Sequence, residues 1–84
     1  MSQIARSQKQ IGSILRNHRR AKSLTQIDLA SQAGVRQATI SELEGGAPGT
    51  KLRTLFDILA ALDLELEIRP RSKSLPKDLE ELLG

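Results

Sequence analysis

The apolar positions of this chain of 84 residues recur at helical spacing over most of its length. In residues 7–22, positions three and four apart form one stripe, which predicts an amphipathic helix. The stripe consists of Ile11, Ile14, Leu15 and His18. Gly12 lies within the same helix, although Gly costs about 1 kcal/mol against Ala there, and this indicates close packing against a neighbour.

The sequence next predicts two short helices joined by a tight turn. Thr25 followed by Asp28 matches a capping box, in which the Thr hydroxyl accepts from one backbone amide and the carboxylate accepts from another. Leu24 and Leu29 flank the cap as a hydrophobic staple does. Gly34 stands where a helix commonly ends in a left-handed residue. Because another helical pattern begins almost at once, we predict a helix-turn-helix.

The second of these helices lies in the stretch "GVRQATISELE", residues 34–44. At about 100° per residue, Ile40 and Leu43 define its core side. The opposite face consists of Gln37, Ala38 and Ser41. Small and amide-bearing side chains near a helix N-terminus, with Arg36 at its entry, are typical of a helix that contacts base edges in a DNA major groove. The alternative is a merely solvated face, which more often carries Lys and Glu pairs.

After a loop rich in Gly and Pro, residues 51–63 again predict a helix, and its apolar stripe is assigned to the core. The stripe consists of Leu52, Leu55, Phe56, Leu59 and Leu62. The period then changes to two in "LELEIR", which predicts a β-strand with Leu64, Leu66 and Ile68 on one side. A lone strand has no partner in a helical chain, so we predict pairing with a second copy in a homodimer. Continuation of the preceding helix is the alternative, because Leu and Glu also favour helices.

These patterns divide the chain into two parts. Residues 1–69 are expected to form the DNA-binding domain, with the dimerising strand at residues 64–69, and residues 70–84 a linker and short tail. The tail is expected to end in a short helix whose apolar side contacts a partner; the alternative is that the tail docks on its own dimer or frays. This side consists of Leu75, Leu79, Leu82 and Leu83.

Composition and charge narrow the class of function. The chain has one aromatic residue and no Cys, which excludes disulfides and thiolate metal sites and favours a mainly α fold. Residues 1–53 carry nine Lys and Arg against three acidic residues, whereas residues 54–84 carry four against seven. A basic first part is typical of a protein with a polyanionic partner. With one His, no phosphate-binding Gly motif and no long apolar run, we expect a cytoplasmic protein without enzymatic activity, metal, cofactor or membrane contact.

The segment "LTQIDLASQAGVRQATISELEGG" resembles the helix-turn-helix of the lambda-repressor-like (XRE, or Cro/C1-type) family. The resemblance extends from about Ile11 through "TLFDILAALDLELEI" and implies a four- to five-helix fold with a C-terminal strand paired across a homodimer. Within the family, the chain is most similar to HipB-type antitoxins, which share "QATIS". The similarity implies binding to palindromic operator DNA upstream of the protein's own operon. It also implies a second partner, a HipA-type Ser/Thr kinase toxin.

The resemblance also implies roles for individual residues. It gives the base contacts in the major groove of double-stranded DNA to Arg36, Gln37, Ala38 and Ser41. Arg suits guanine and Gln suits adenine, each pair discriminating by about 1–3 kcal/mol. Contacts to phosphate or to an adjacent base are implied for Gln26, Thr39, Lys51 and Arg53. Arg19 and Glu44 match a structural ion pair between the first and third helices.

Three functions remain open at this point. The first is an autoregulating antitoxin that represses its operon and binds a kinase toxin. The second is a stand-alone repressor or restriction-modification controller without a toxin. The third is a protein-interaction adaptor that uses the same scaffold without reading DNA, and the basic, amide-bearing face argues against it.

Overall fold

The computed structural model describes residues 3–71. Within this range the chain forms four helices, and each begins after a residue with extended backbone. They are α1 (Gln8–Ala21), α2 (Gln26–Ala33), α3 (Gln37–Glu44) and α4 (Leu52–Ala61). The fold is therefore mainly α, as predicted, and a fifth helix in the tail would lie outside the described residues.

The core lies where α3 packs against α1 and α2, and where α2 packs against α4. Only aliphatic side chains fill it, because the single aromatic residue stays outside. The buried hydrophobic residues are Leu15, Leu29, Ala30, Ile40, Leu43, Ile58, Leu59 and Leu62. Since α3 contributes Ile40 and Leu43, its buried face fixes the direction in which its polar face points.

Gly12 allows the close approach of α1 and α3. A Cβ at this position would lie 2.2 Å from the backbone carbonyl oxygen of Leu43 and 3.0 Å from that of Glu44. The first distance is too short for a Cβ and the second is very tight, so the close packing predicted from the sequence is confirmed. The contact brings the C-terminal end of α3 directly against the middle of α1.

The predicted core stripe of α4 is wrong at two positions. Leu52 is 64% exposed and Phe56 is 47% exposed, whereas Ile58, which the stripe omitted, is completely buried. Apolar residues surround more than half of this short helix, and its main contact with another helix is with α2. The spacing of apolar residues alone cannot identify the buried side of a helix in which so many positions are apolar.

Residues 64–71 form neither helix nor strand in the single chain. Continuation of α4 is wrong, because Leu62 ends the helix and Asp63 takes a left-handed φ of 58°. The Leu64 amide then donates to the Leu59 carbonyl at 2.8 Å. Leu64 packs against the core, but Leu66 and Ile68 are exposed. The strand and its pairing across a homodimer remain predictions.

No helix among the described residues is long and apolar enough to cross a membrane. The four tail residues expected to contact a partner, and the C-terminal helix that would carry them, lie outside residues 3–71. They are Leu75, Leu79, Leu82 and Leu83.

Candidate nucleic-acid interface

The turn between α2 and α3 is fixed by short-range hydrogen bonds. The Thr25 amide donates to Asp28 Oδ2 at 2.9 Å, and the Asp28 amide donates to Thr25 Oγ1 at 3.0 Å, so the predicted capping box is confirmed. The hydrogen bond from the Thr25 backbone lowers the pKa of Asp28. At the other end, Gly34 adopts φ 71°, and the Val35 amide donates to the Ala30 carbonyl at 2.9 Å. These contacts set α3 at a defined angle to α2.

The polar face of α3 is open to solvent. Ile40 and Leu43 are buried, which leaves the face predicted to read DNA on the outside of the molecule. Its exposed members are Arg36, Gln37, Ala38 and Ser41. Arg36 is the N-cap residue and its side chain makes no capping hydrogen bond. As at other helix N-termini, the amides before that of Thr39, which donates to the Arg36 carbonyl, have no acceptor within the helix. Such a surface can donate hydrogen bonds to phosphate oxygens.

A chain of side-chain hydrogen bonds joins this face to the interior. Gln37 Nε2 donates to Gln26 Oε1 at 2.8 Å. Gln26 Nε2 in turn donates to Glu44 Oε1 at 3.2 Å. Gln37, which was expected to contact a base, and Gln26, which was expected to contact phosphate or an adjacent base, therefore lie in direct contact. This contact was not predicted from the sequence. Both glutamines are the first residues of their predicted helices, and this shared position is the signal from which the contact could have been inferred.

The buried end of the chain is an ion pair. Arg19 Nε donates to Glu44 Oε2 at 2.6 Å, and Arg19 Nη2 donates to Glu44 Oε1 at 2.9 Å. Arg19 Nη1 also donates to the Leu24 carbonyl at 2.7 Å. The two side chains belong to residues that are 7% and 8% exposed, so the pair is shielded from water. This geometry ties α1, the loop before α2 and the end of α3 together.

The surroundings of both side chains in the pair favour their charged forms. The hydrogen bond that Arg19 donates to Glu44 outweighs the burial of Arg19, so the pKa of Arg19 is raised. Burial raises the pKa of Glu44, but hydrogen bonds from Arg19 and Gln26 and the charges of Arg19 and Arg16 outweigh it, so this pKa lies below its usual value. Glu44 is therefore an ionised carboxylate near neutral pH, and it can only accept hydrogen bonds.

A second group of predicted residues lines an open cleft of about 390 Å³ between α3 and the start of α4. Arg36, Thr39 and Lys51 lie together there, beside the carboxylate of Glu42. Arg53 is exposed in the first turn of α4 but does not line this cleft. Pro48, Thr50 and Thr54, which were not predicted as site residues from the sequence, also line the cleft. Thr hydroxyls next to basic residues suit contacts with phosphate.

The chain is similar to known helix-turn-helix proteins over most of its length. A family model described as helix-turn-helix matches residues 15–68. Antitoxin HipB of Escherichia coli (strain K12) is 32% identical over 75 residues, which cover 89% of this chain and 85% of that protein. A solved HipA-HipB-O2-O3 complex contains a chain that superposes with a TM-score of 0.78 at 32% identity, covering 84% of this chain and 100% of that one. The restriction-modification controller protein C.AhdI from Aeromonas hydrophila superposes with a TM-score of 0.66 at 31% identity, covering 69% and 88%.

Proposed function

The chain belongs to the helix-turn-helix family, and we propose that it is a dimeric, sequence-specific DNA-binding repressor. In this proposal α3 enters the major groove of double-stranded DNA with its N-terminal end first. The observation that carries it is the exposed face of α3, which presents an amide and a guanidinium beside small side chains. The four side chains assigned to bases are Arg36, Gln37, Ala38 and Ser41.

The individual DNA contacts that we propose are inferred from where each side chain lies relative to α3. Arg36 suits the O6 and N7 atoms of guanine, and Gln37 suits the N6 and N7 atoms of adenine, each discriminating by about 1–3 kcal/mol. Thr39 and Lys51, in the cleft beside Arg36, are proposed to contact phosphate. Gln26, at the N-terminus of α2, and Arg53 are proposed to contact phosphate or an adjacent base.

The base-reading role is tested by replacing Gln37 with Ala. We expect Gln37→Ala to lower the preference for adenine at one position of each half-site by about tenfold to hundredfold, because one bidentate contact is lost. Binding to selected and scrambled duplexes by fluorescence anisotropy measures this preference. Gln32→Ala, an exposed glutamine on α2, is the matched control. An equal loss of affinity for both duplexes would refute base reading by Gln37.

We further propose that two copies pair through residues 64–69. The alternation of Leu64, Leu66 and Ile68 supports a strand, and Ile68 is 90% exposed in the single chain. A second copy would supply the missing backbone partners and cover these side chains. Leu66→Pro should give a monomer by sedimentation, whereas Leu66→Val should remain a dimer, because Pro removes a ladder donor. An unchanged dimer with Pro at this position would refute the paired strand.

The partner that we propose beyond DNA is a HipA-type Ser/Thr kinase toxin, with the protein acting as its antitoxin and as repressor of the shared operon. Its support is the similarity to antitoxin HipB of Escherichia coli, which spans 85% of that protein, and to a chain in a HipA-HipB-O2-O3 complex. The Leu-rich tail is the proposed additional contact. Affinity purification from the host, with and without nuclease, tests this proposal. A kinase that is retained after nuclease treatment supports it.

A stand-alone repressor or restriction-modification controller is the second candidate. The similarity to C.AhdI at 31% identity favours it, although that likeness covers 69% of this chain. The same purification separates the two functions. Recovery of DNA alone, lost after digestion, would contradict the antitoxin proposal and leave the DNA-binding proposal intact.

A further inference from the structure

The charged residues in the segment after α4 follow a regular order. Residues 64–71 form neither helix nor strand in the single chain, and charged residues occupy every second position. These residues are Glu65, Glu67, Arg69 and Arg71. All four are exposed, and within residues 3–71 none of them forms an ion pair. Two negative charges are therefore followed by two positive charges along a segment that is open to a partner.

This order of charges is self-complementary when two copies of the segment lie antiparallel. In an antiparallel pair, the position numbers of directly opposed residues add up to a constant, so a two-fold axis beside one residue fixes every pair. With the axis beside Ile68, Glu67 opposes Arg69 of the second copy. Glu65 then opposes Arg71 of the second copy, and the axis repeats both pairs. Because opposite charges that face each other across two strands attract, all four charged pairs stabilise this arrangement.

The neighbouring registers bring like charges together. With the axis beside Glu67 or Arg69, that charged residue faces its own copy. With the axis beside Leu66, Glu65 faces Glu67 of the second copy, and the axis repeats this repulsion. Like charges that are directly opposed destabilise a pair of strands. A shift by an odd number of residues instead places the apolar sides of the two copies on opposite faces.

The apolar side of the segment fits the same arrangement. Ile68 is 90% exposed, the highest exposure among the large hydrophobic residues of the described chain, and on the axis Ile68 of the second copy would cover it. Leu66 is 45% exposed and lines a groove of about 290 Å³ beside α1. It would face Pro70 of the second copy. Both strands of a two-stranded ribbon are edge strands, which tolerate Pro.

We propose that two copies pair antiparallel along residues 65–71 with the two-fold axis beside Ile68, and that the order of charges sets this register. The inference rests on the proposed function, since it requires that two copies pair through this segment. It adds the register, extends the pairing to Arg71, and names the charges by which one copy recognises another. A similar protein whose segment carries a different order of charges is disfavoured as a partner, because like charges would then face each other.

Disulfide cross-linking measures the register directly, because the chain contains no Cys. Directly opposed residues of antiparallel strands have Cα atoms about 4.5–5.5 Å apart, within the range of about 4.4–6.8 Å that a disulfide spans. In the full chain, Ile68→Cys should therefore give a cross-linked dimer in oxidised glutathione. The matched variants Glu67→Cys and Leu66→Cys should not cross-link, because the two copies of each position would lie about 8 Å and about 14 Å apart.

The outcomes separate the register from the pairing itself. A wild-type chain that sediments as a dimer, with cross-linking at residue 66 or 67 and none at residue 68, would overturn the register and leave the proposed pairing intact. A wild-type chain that sediments as a monomer would overturn the proposed pairing, and the register with it.

Charge reversal tests the same pairs in solution. Each directly opposed ion pair changes the affinity by about 1.4- to fivefold, and reversing one residue replaces two attractive pairs by two repulsive ones. We expect Glu67→Arg and Arg69→Glu each to weaken dimerisation by about tenfold in sedimentation equilibrium. Arg20→Glu, at an exposed position of α1, is the matched control and should change dimerisation little.

A mixture of the two reversed variants provides the rescue. In the heterodimer of Glu67→Arg with Arg69→Glu, opposite charges again face each other at every charged pair. We therefore expect the mixture to recover nearly the wild-type affinity, although each variant alone does not. A mixture that pairs no better than the separate variants would overturn the inference, while DNA reading by α3 would stand.

Discussion

Replacement of Gly12 by Ala tests the packing that places α3. In an exposed helix this change would stabilise the protein by about 1 kcal/mol, because Ala has the higher helix propensity. Here the added Cβ would lie 2.2 Å from the Leu43 carbonyl oxygen and 3.0 Å from that of Glu44. Both atoms belong to the backbone of α3, so no flexible side chain can move aside. We expect overpacking to dominate.

The magnitude follows from these two opposing effects. Overpacking in a well-packed region costs about 1–3 kcal/mol, and a clash with two backbone atoms belongs near the upper end. After subtraction of the helix-propensity gain, Gly12→Ala should lower the free energy of unfolding by about 2 kcal/mol. With a urea dependence of about 1 kcal/mol per molar for a small domain, the midpoint should fall by about 2 M.

Urea denaturation followed by circular dichroism measures this change. Ser13→Ala, at the neighbouring exposed position of α1, is the control and should alter the midpoint little. Since the clash would push the end of α3 away from α1, Gly12→Ala should also weaken DNA binding. A variant that gains stability would refute the reasoning, because helix propensity would then have outweighed the contact.

Three further predictions concern charge. Arg19→Met should destabilise the fold by about 3–5 kcal/mol in calorimetry, because it leaves the Glu44 carboxylate buried without its partner. The double variant Arg19→Met with Glu44→Leu should recover most of that loss, and no recovery would contradict a role confined to this pair. The pKa of Glu44 is lower in the folded protein than in the unfolded chain, where it is about 4.3. Ionised Glu44 therefore stabilises the fold at pH values above the unfolded pKa, and this stabilisation is lost as the pH falls through the folded pKa. Glu44→Gln should therefore reduce the acid sensitivity of the melting temperature, and an unchanged pH profile would contradict this assignment. Lys51→Ala should reduce the slope of log K against log salt by about 1, and an unchanged slope would show that Lys51 does not contact phosphate.

The sequence predicted the parts of the fold that depend on neighbouring residues. The capping box of Thr25 and Asp28 and the left-handed Gly34 involve residues close together in the chain, so local chemistry specifies them. The sequence predicted that Gly12 packs closely against a neighbour, but not which neighbour, because the carbonyl that it meets lies about thirty residues away in the chain. Leu52 and Phe56 of α4 were wrongly predicted to be buried, because the spacing of apolar residues does not show which side of a helix packs against another element.

In the candidate site, too, local features could be predicted from the sequence and contacts between helices could not. The exposed face of α3 follows from helical geometry once Ile40 and Leu43 are assigned to the core. The contact between Gln26 and Gln37 joins two helices across the turn, and it depends on their angle and on the buried carboxylate behind them. No spacing in the sequence encodes that angle directly. It is a product of the Gly34 turn and the packing on α1.

Selection of randomised DNA duplexes by the purified wild-type chain, followed by sequencing, tests the central claim most directly. We predict enrichment of a palindrome whose half-sites lie about one helical turn, or a multiple of it, apart. The same selection with Gln37→Ala should lose the preference at one base of each half-site and keep the others. Failure to enrich any sequence, or an identical motif from the variant, would contradict the claim that α3 reads DNA through Gln37.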